Sequence, residues 1–397
     1  MIIQAKRIGI DARLMLMPLR GMPLYVTRLC QYLPQVNKEH QLLYFINKGY
    51  EHNDRPENYL PLLDALEAHP NVRLINKDDE AQIRWEQVFL PRLARKHKID
   101  LLHMPGNRVP FFADIPLVAT VHDVMEYRFL LDQKYPISWS QNRSLRMLQY
   151  NLRRRLYAVL TYRYGMPRAL RLITVSNYSA DDIASTLSVD KQYISVIHHG
   201  VDREYLQERP CPREQRSHTL MLGGDSYQKN PEAALACWAQ VSPIFQQQYP
   251  LKIIGFSGTE SSSLLQALKK FGLDEAVEVK GWVPQPEMVE YMKHAVLFLF
   301  PSRYEGFGFP LIQAMACGTP VISTNKSSIP EVLGEVGFQL DPDDSIGMSK
   351  AVEQLLSDSN LWLQQSKAGF IRSKQFVWEN SARKHLDLYE ELLCRRQ

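Results

Sequence analysis

Short apolar runs alternate with helix-length mixed segments along most of the chain. In the first half the runs are Arg7–Ile10, Leu42–Phe45, Val72–Ile75, Leu101–His103, Leu117–Val121 and Leu172–Val175. Four or five apolar residues in a row, with longer pieces between, predict strands buried on both faces of a parallel sheet and joined by crossover helices. The rhythm restarts after residue 200, with Thr219–Leu222, Leu251–Ile254, Val277–Lys280, Val296–Phe300, Pro320–Ser323 and Gly337–Leu340. Two doubly wound α/β sheets in tandem follow. Between them, HHGVDREYLQERPCPREQRS at 198–217 is polar, contains prolines and has no clear period, and is the expected linker. From Ser345 to Gln397 the pattern is helical, with apolar faces supplied by Leu355, Leu356, Trp362, Phe370, Phe376, Trp378, Leu386, Tyr389 and Leu393. A terminal helix this apolar must dock on something. The expected organisation is 1–200, 201–375, and a helix at 376–397 that crosses back to the first domain.

Composition narrows the class. The chain has 397 residues, 45% hydrophobic and 23% charged, with 47 Lys+Arg against 43 Asp+Glu for a net charge of +4. Such a chain is long enough for two or three domains of about 150 residues each. It excludes a disordered chain or a small disulfide knot. The five cysteines (Cys30, Cys211, Cys237, Cys317, Cys394) are scattered and never form a CxxC pair, which argues against a disulfide framework or a zinc site and fits the reducing cytosol. Lys6 and Arg7 interrupt the opening MIIQAKRIGID, so no signal-peptide core is expected there. No apolar run approaches the ~18–20 residues that span a bilayer. Membrane contact, if any, is expected to be peripheral.

The most informative chemistry lies in Pro301-Ser-Arg-Tyr-Glu-Gly-Phe-Gly-Phe-Pro310, followed by LIQAMACGTPVIST. A strand is predicted to end at Phe300; Gly306 and Gly308 open the chain, and Pro310 suits the first helical position, where its missing N–H costs nothing. Cys317-Gly318 then closes the helix with a left-handed cap. A glycine-rich turn into a helix presents backbone N–H groups and a positive dipole end, which suit a phosphate or diphosphate. Glu305 does not fit a bare phosphate nest and would repel the anion unless it faces something else, such as sugar hydroxyls. A tight structural turn with an exposed Glu is the other reading, since Gly-x-Gly by itself is a weak signal.

The segment EGFGFPLIQAMACGTPVISTNKSSIPEVLGEVGFQLDPDD resembles the donor-site signature of retaining glycosyltransferases of family 4. IGIDAR, HMPGNRVP at 103–110, TVHD at 120–123, ITVSNYSADDI at 173–183, VIHHGVD at 196–202, GWVPQPEMVEYMKHA at 281–295 and FPSRYEGFG at 300–308 fall in that family's usual order. The resemblance implies a GT-B fold, in which an N-terminal acceptor-binding and a C-terminal nucleotide-sugar-binding Rossmann-like domain face a central cleft. Residue by residue, it implies that Glu305 touches donor-sugar hydroxyls and that the backbone of Gly306, Phe307 and Gly308 meets sugar and diphosphate. Lys229, in GGDSYQKNPE, would neutralise the diphosphate. His122, in TVHD, would stand beside the transferred sugar. Gly21, in RGMPLYV, falls in the loop that approaches the diphosphate from the other domain. A solvated Lys229 and a satisfied strand-end His122 are the plainer alternatives. No cofactor and no metal are expected, with neutralisation of the diphosphate falling on Lys229 and the helix dipole. The donor is expected to be GDP-mannose, with UDP-hexose second, and the product a bacterial surface glycan such as lipopolysaccharide or O-antigen.

Three positions depart from the family pattern. Gln313 stands for the second Glu of Glu-x7-Glu, Gln228 for the Arg often found beside the Lys, and Gly21-Met-Pro-Leu-Tyr25 for a Gly-Ile-Gly-Arg-Tyr loop. An amide oxygen accepts where a carboxylate has two acceptors, which removes about one ribose hydrogen bond, ~1 kcal/mol. These departures favour the alternative of a degenerate, non-catalytic GT-B binding or scaffold protein. Finally, 133–180 contains no Asp or Glu but carries Lys134 and eight arginines (Arg143, Arg146, Arg153, Arg154, Arg155, Arg163, Arg168, Arg171) among Tyr150, Tyr157, Tyr162 and Tyr164. It could lie on an anionic membrane and receive a lipid-linked acceptor, or be a basic helix paired with acidic residues elsewhere. Nucleic acid is disfavoured by the small net charge and the lack of a recognised motif.

Overall fold

The computed structural model describes residues 5–49, 59–78, 81–131, 153, 156–224, 226–256 and 263–395. The chain divides into two compact units, Met1–His198 with Trp378–Gln397, and His199–Val377.

The first unit holds strands β1 (Arg7–Asp11), β2 (Gln41–Ile46), β3 (Val72–Asn76), β4 (Leu101–Met104), β5 (Leu117–Thr120), β6 (Arg171–Thr174) and β7 (Ile194–Val196). They form one parallel sheet in the order β3-β2-β1-β4-β5-β6-β7. β7 is not among the runs that the hydrophobic pattern predicts as strands. β4 and β5 are buried along their whole length. The chain order reverses between β1 and β4, so the loops leaving their C-terminal ends diverge there and open a crevice, the usual ligand position in such sheets.

The helix Trp378–Cys394 belongs to this unit and packs on the helix Met22–Val36. Trp378, Leu386, Tyr389 and Leu393 are buried along it, spaced three, four and eight residues apart as one helix face requires. Polar residues are buried there too: His385 and Tyr389 are fully enclosed.

The second unit repeats the plan with β8 (His218–Leu222), β9 (Leu251–Ile254), β10 (Val277–Lys280), β11 (Ala295–Phe300), β12 (Val321–Thr324) and β13 (Phe338–Leu340). Their order is β10-β9-β8-β11-β12-β13, again parallel, with the reversal between β8 and β11. Trp238, Leu251, Ile253, Leu299 and Trp362 sit in its core. Asp344 and Asp358 cap the helices Ser345–Ser357 and Ser359–Ser373 through side-chain bonds to first-turn amides.

The segment expected to be a plain linker is more structured than its composition suggests. His199, Val201, Asp202, Tyr205 and Arg216 are buried. Arg216 donates to the carbonyls of Cys211, Ala295, Cys317 and Gly318 and to Thr319 Oγ1, at 2.6–3.2 Å. Its guanidinium also lies over the Trp362 ring, 5.1 Å from the centroid. A buried cation satisfied by carbonyls leaves no hydropathy signal, so sequence periodicity is blind to it.

Candidate functional site

The loops leaving the C-terminal ends of the strands carry most of the residues singled out above. In the second unit, β11 ends at Phe300 and the helix Phe309–Ala316 begins after Gly308. Gly308 has φ +95°, and a Cβ there would lie 3.0 Å from Leu311 Cδ1, so this position favours glycine. Phe309 is the first helical residue and Pro310 the second, one place later than expected, and Gly318 takes the left-handed cap with φ +63°. The Phe307 side chain is buried edge-on to His199, with centroids 5.0 Å apart, which pins the loop from beneath.

Lys229 and Glu305, 76 residues apart, meet in this loop. Lys229 Nζ donates to Glu305 Oε1 at 2.6 Å, and Ser302 Oγ donates to the same oxygen at 2.6 Å. Lys229 is therefore not a solvated lysine, nor is Glu305 a bare exposed turn residue. The Glu305 backbone is fixed as well: its N–H donates to Ser327 Oγ and its carbonyl accepts from Ser328 Oγ, both at 2.9 Å. Gly223, with φ +141°, would bring a Cβ within 2.9 Å of Lys229 Cβ, so only a glycine lets that lysine stem pass at the end of β8. Gln313 is buried on the helix that follows.

The sequence reading passed over Ser302, Ser327, Ser328 and Arg303. Arg303 donates to Asn230 Oδ1 at 3.1 Å, is paired with Asp343, and lies over the Tyr227 ring. It places a guanidinium near the 227–230 turn although Gln228 supplies none; a single serine or arginine has no period or spacing of its own, so no signal in the sequence would have found them.

In the first unit, Gly21 has φ +54° and caps the helix Met22–Val36, and its carbonyl accepts from Tyr25 N–H at 3.1 Å. His122 follows β5. Its N–H donates to Asn107 Oδ1 at 2.8 Å, and its Nε2 donates to the Pro105 carbonyl at 3.0 Å. The Tyr25 ring meets the His122 ring edge to face, with centroids 4.9 Å apart. Burial lowers the His122 pKa to about 4, partly offset by the bond to Pro105, so the imidazole is neutral near pH 7. A neutral, hydrogen-bonded histidine can present a lone pair or an apolar ring edge to a sugar, but no charge.

The basic stretch is only partly described: Lys134, Arg143, Arg146, Tyr150, Arg154 and Arg155 lie outside the described residues. Of the described tyrosines, Tyr162 is buried and Tyr157 is bonded to Glu86, so neither offers an aromatic surface to a membrane. Tyr164, Arg163, Arg168 and Phe112 are exposed, with Arg168 over the Phe112 ring. Arg171 pairs with Glu391, one acidic partner of the kind the alternative reading required. Among the described residues, no group of three His, Cys, Asp or Glu is placed to hold a metal ion, and no helix is long and apolar enough to cross a membrane.

Comparison with known proteins agrees with this geometry. Residues 19–205 match the family model "Glycosyltransferase Family 4" and residues 202–372 the model "Glycosyl transferases group 1". The chain is 29% identical over 238 residues to the O-antigen chain mannosyltransferase B of Escherichia coli, covering 57% of this chain and 62% of that protein. It is 28% identical over 167 residues to the serotype-specific mannosyltransferase WbdA of Escherichia coli, covering 42% of this chain and 20% of that much longer one. The chain thus spans less than two thirds of these curated relatives. In structure, it superimposes on Anabaena Alr3699/HepE, solved with UDP and glucose, with a TM-score of 0.67 at 17% identity, covering 98% of this chain and all of that one. At that identity the likeness shows a shared GT-B fold.

Proposed function

Because the chain belongs to the glycosyltransferases that join a family 4 domain to a group 1 domain, we propose that it is a retaining, metal-independent hexosyltransferase of bacterial surface polysaccharide synthesis. Its donor would be GDP-mannose, as the mannosyltransferase relatives suggest. A UDP-hexose is the second candidate, supported by the UDP-binding structural neighbour. The acceptor would be a glycan or lipid-linked oligosaccharide.

The observation that carries the reading is the Lys229–Glu305 pair at the mouth of a glycine turn into a helix. An ammonium and a carboxylate held together there would suit a diphosphate, which needs a cation, and a sugar, whose hydroxyls need acceptors. As the sugar–phosphate bond breaks, charge grows on the leaving diphosphate, and the ammonium and helix dipole stabilise it most at that moment. The acceptor hydroxyl attacks from the same face and loses its proton to the departing phosphate, so no separate protein base is required. Gly306, Phe307 and Gly308 would contribute backbone contacts, Gln313 a ribose contact, and His122 and Gly21 contacts from the N-terminal domain. The proposed setting is the cytoplasm, with peripheral contact to the inner membrane through Arg163, Arg168, Tyr164 and Phe112.

Incubation with GDP-mannose and with UDP-glucose, each with a mannose-bearing acceptor, tests this. GDP release with an α-linked product, undiminished by EDTA, is expected. Release of nucleoside diphosphate from neither donor would overturn the transferase reading, and an inverted product would overturn the mechanism. Vesicles containing anionic lipid should bind the protein at low salt and release it as salt rises, and absence of binding would remove the peripheral contact.

A further inference from the structure

A chain of buried polar groups runs beneath His122 and joins the last helix to the middle of the first sheet. Tyr389 Oη lies 2.6 Å from His103 Nδ1, and His103 Nε2 lies 2.7 Å from Thr120 Oγ1. Thr120 Oγ1 is 2.9 Å from Tyr25 Oη, which is 2.9 Å from His385 Nε2; His385 Nδ1 is 2.7 Å from the Ser381 carbonyl. All five side chains are essentially closed to solvent.

One end fixes the direction of every proton. The Ser381 carbonyl can only accept, so His385 Nδ1 carries a proton. His385 is neutral, since burial lowers its pKa to about 4, so its Nε2 accepts and Tyr25 must donate to it. Tyr25 has then spent its hydrogen and accepts from Thr120. Thr120 in turn accepts from His103 Nε2–H. Burial also keeps His103 neutral, so its Nδ1 accepts from Tyr389. No other arrangement satisfies all five bonds with two neutral imidazoles. The two histidines are thereby held in opposite tautomers, Nδ1–H for His385 and Nε2–H for His103.

Tyr25 is where this chain meets the candidate site. Its ring packs edge to face with His122, and its backbone N–H holds the Gly21 carbonyl at the start of the helix. Its hydroxyl is clamped between β5 and the last helix. We infer that Tyr25 is a positioning residue for His122, and that His385 and Tyr389 of the C-terminal helix set its orientation through this one-way relay of hydrogen bonds. The inference rests on the proposed placement of His122 beside the transferred sugar. It gives the last helix a task beyond covering an apolar face: a residue 360 positions from Tyr25 supplies the acceptor that fixes its ring.

Two measurements on the full chain test it. The first needs no substrate: two-bond proton–nitrogen spectra of 15N-histidine protein at pH 7.5, with each resonance assigned by its loss in His385→Gln or His103→Gln. His385 should show the Nδ1–H pattern and His103 the Nε2–H pattern; the reverse in either would overturn the relay. The second compares GDP release from GDP-mannose, or from UDP-glucose if that is the donor used, in Tyr25→Phe, His122→Ala and the double variant. Tyr25→Phe should lower kcat about tenfold with donor KM within about twofold, and should cause no further loss in the His122→Ala background. A merely structural role would lower both backgrounds alike, and equal losses would overturn the coupling. His385→Leu, which removes the acceptor but not the Tyr25 hydroxyl, should reproduce the kcat effect; an unchanged rate with Tyr25→Phe impaired would take the last helix out of the relay. If His122→Ala alone keeps full activity, the placement of His122 fails while the tautomer result stands.

Discussion

Lys229 and Glu305 neutralise each other across 2.6 Å, so removing one alters the field felt by a bound diphosphate twice. Lys229→Ala takes away a cation and leaves a carboxylate whose remaining side-chain donor is Ser302. GDP affinity should fall about 10- to 100-fold, ~1.4–2.7 kcal/mol, while guanosine binds as before. Titration calorimetry with both ligands distinguishes this from a structural lysine, which would weaken them equally. Adding Glu305→Gln should restore part of the GDP affinity, because the uncompensated charge goes, yet turnover should stay low because the sugar has lost a strong acceptor. Gln313→Glu supplies the second carboxylate that the family pattern carries. If Gln313 faces ribose, the variant should tighten GDP and UDP by about tenfold, ~1.4 kcal/mol, and weaker binding would show either that it faces elsewhere or that its burial outweighs the bond.

At the scale of elements, the helix Phe309–Ala316 is held at both ends. Its start is fixed by Gly308 and the buried Phe307 ring, and its end by Arg216, whose guanidinium donates to the Cys317 and Gly318 carbonyls. A cation at a helix C-terminus also interacts favourably with the dipole that makes the N-terminus attractive to phosphate. Arg216→Lys keeps the charge but cannot reach five acceptors, and should cost about 2–4 kcal/mol of the second unit's stability in urea unfolding followed by tryptophan fluorescence. An unchanged midpoint would mean that water replaces the lost donors without penalty. Twelve of the thirteen described strands were legible in the hydrophobic rhythm, most plainly those that are apolar runs buried along their length, as Ala295–Phe300 illustrates. The Lys229–Glu305 contact was not legible from spacing, and only the family resemblance put both residues at one donor site. Arg216 and the Tyr25–His385 relay were invisible to both signals. They are polar groups buried by partners up to 103 residues away for Arg216 and up to 360 for the relay, a property of the folded topology rather than of any local period.

The same economy of buried histidines makes the whole molecule acid-sensitive. Burial lowers His122, His385 and His218 to about 4 and His103 well below its ordinary 6.5. Unfolded, each takes up a proton below about pH 6.5; folded, His122, His385 and His218 do not until near pH 4, and His103 is likewise held well below 6.5. The unfolded chain therefore binds more protons through this window, and stability present above pH 6.5 is lost as pH falls. Each fully buried histidine contributes a slope of about 1.4 kcal/mol per pH unit. Three carboxylates with lysine or arginine partners do not offset this at pH 5–6.5. Glu278, Asp341 and Asp343 are held below their ordinary values by lysine and arginine partners, so their losses come at lower pH. Asp11 is raised by burial and works in the opposite sense, but only as it begins to protonate. Three of the four histidines lie in the unit that contains the last helix and one in the other. Scanning calorimetry from pH 7.5 to 5 should therefore resolve two transitions of unequal acid sensitivity, the steeper fall in Tm belonging to the first unit. His218→Gln should flatten only the second transition, since a glutamine has no proton to gain. Parallel shifts in both transitions, or none down to pH 5, would mean that the imidazoles are not held neutral by the fold.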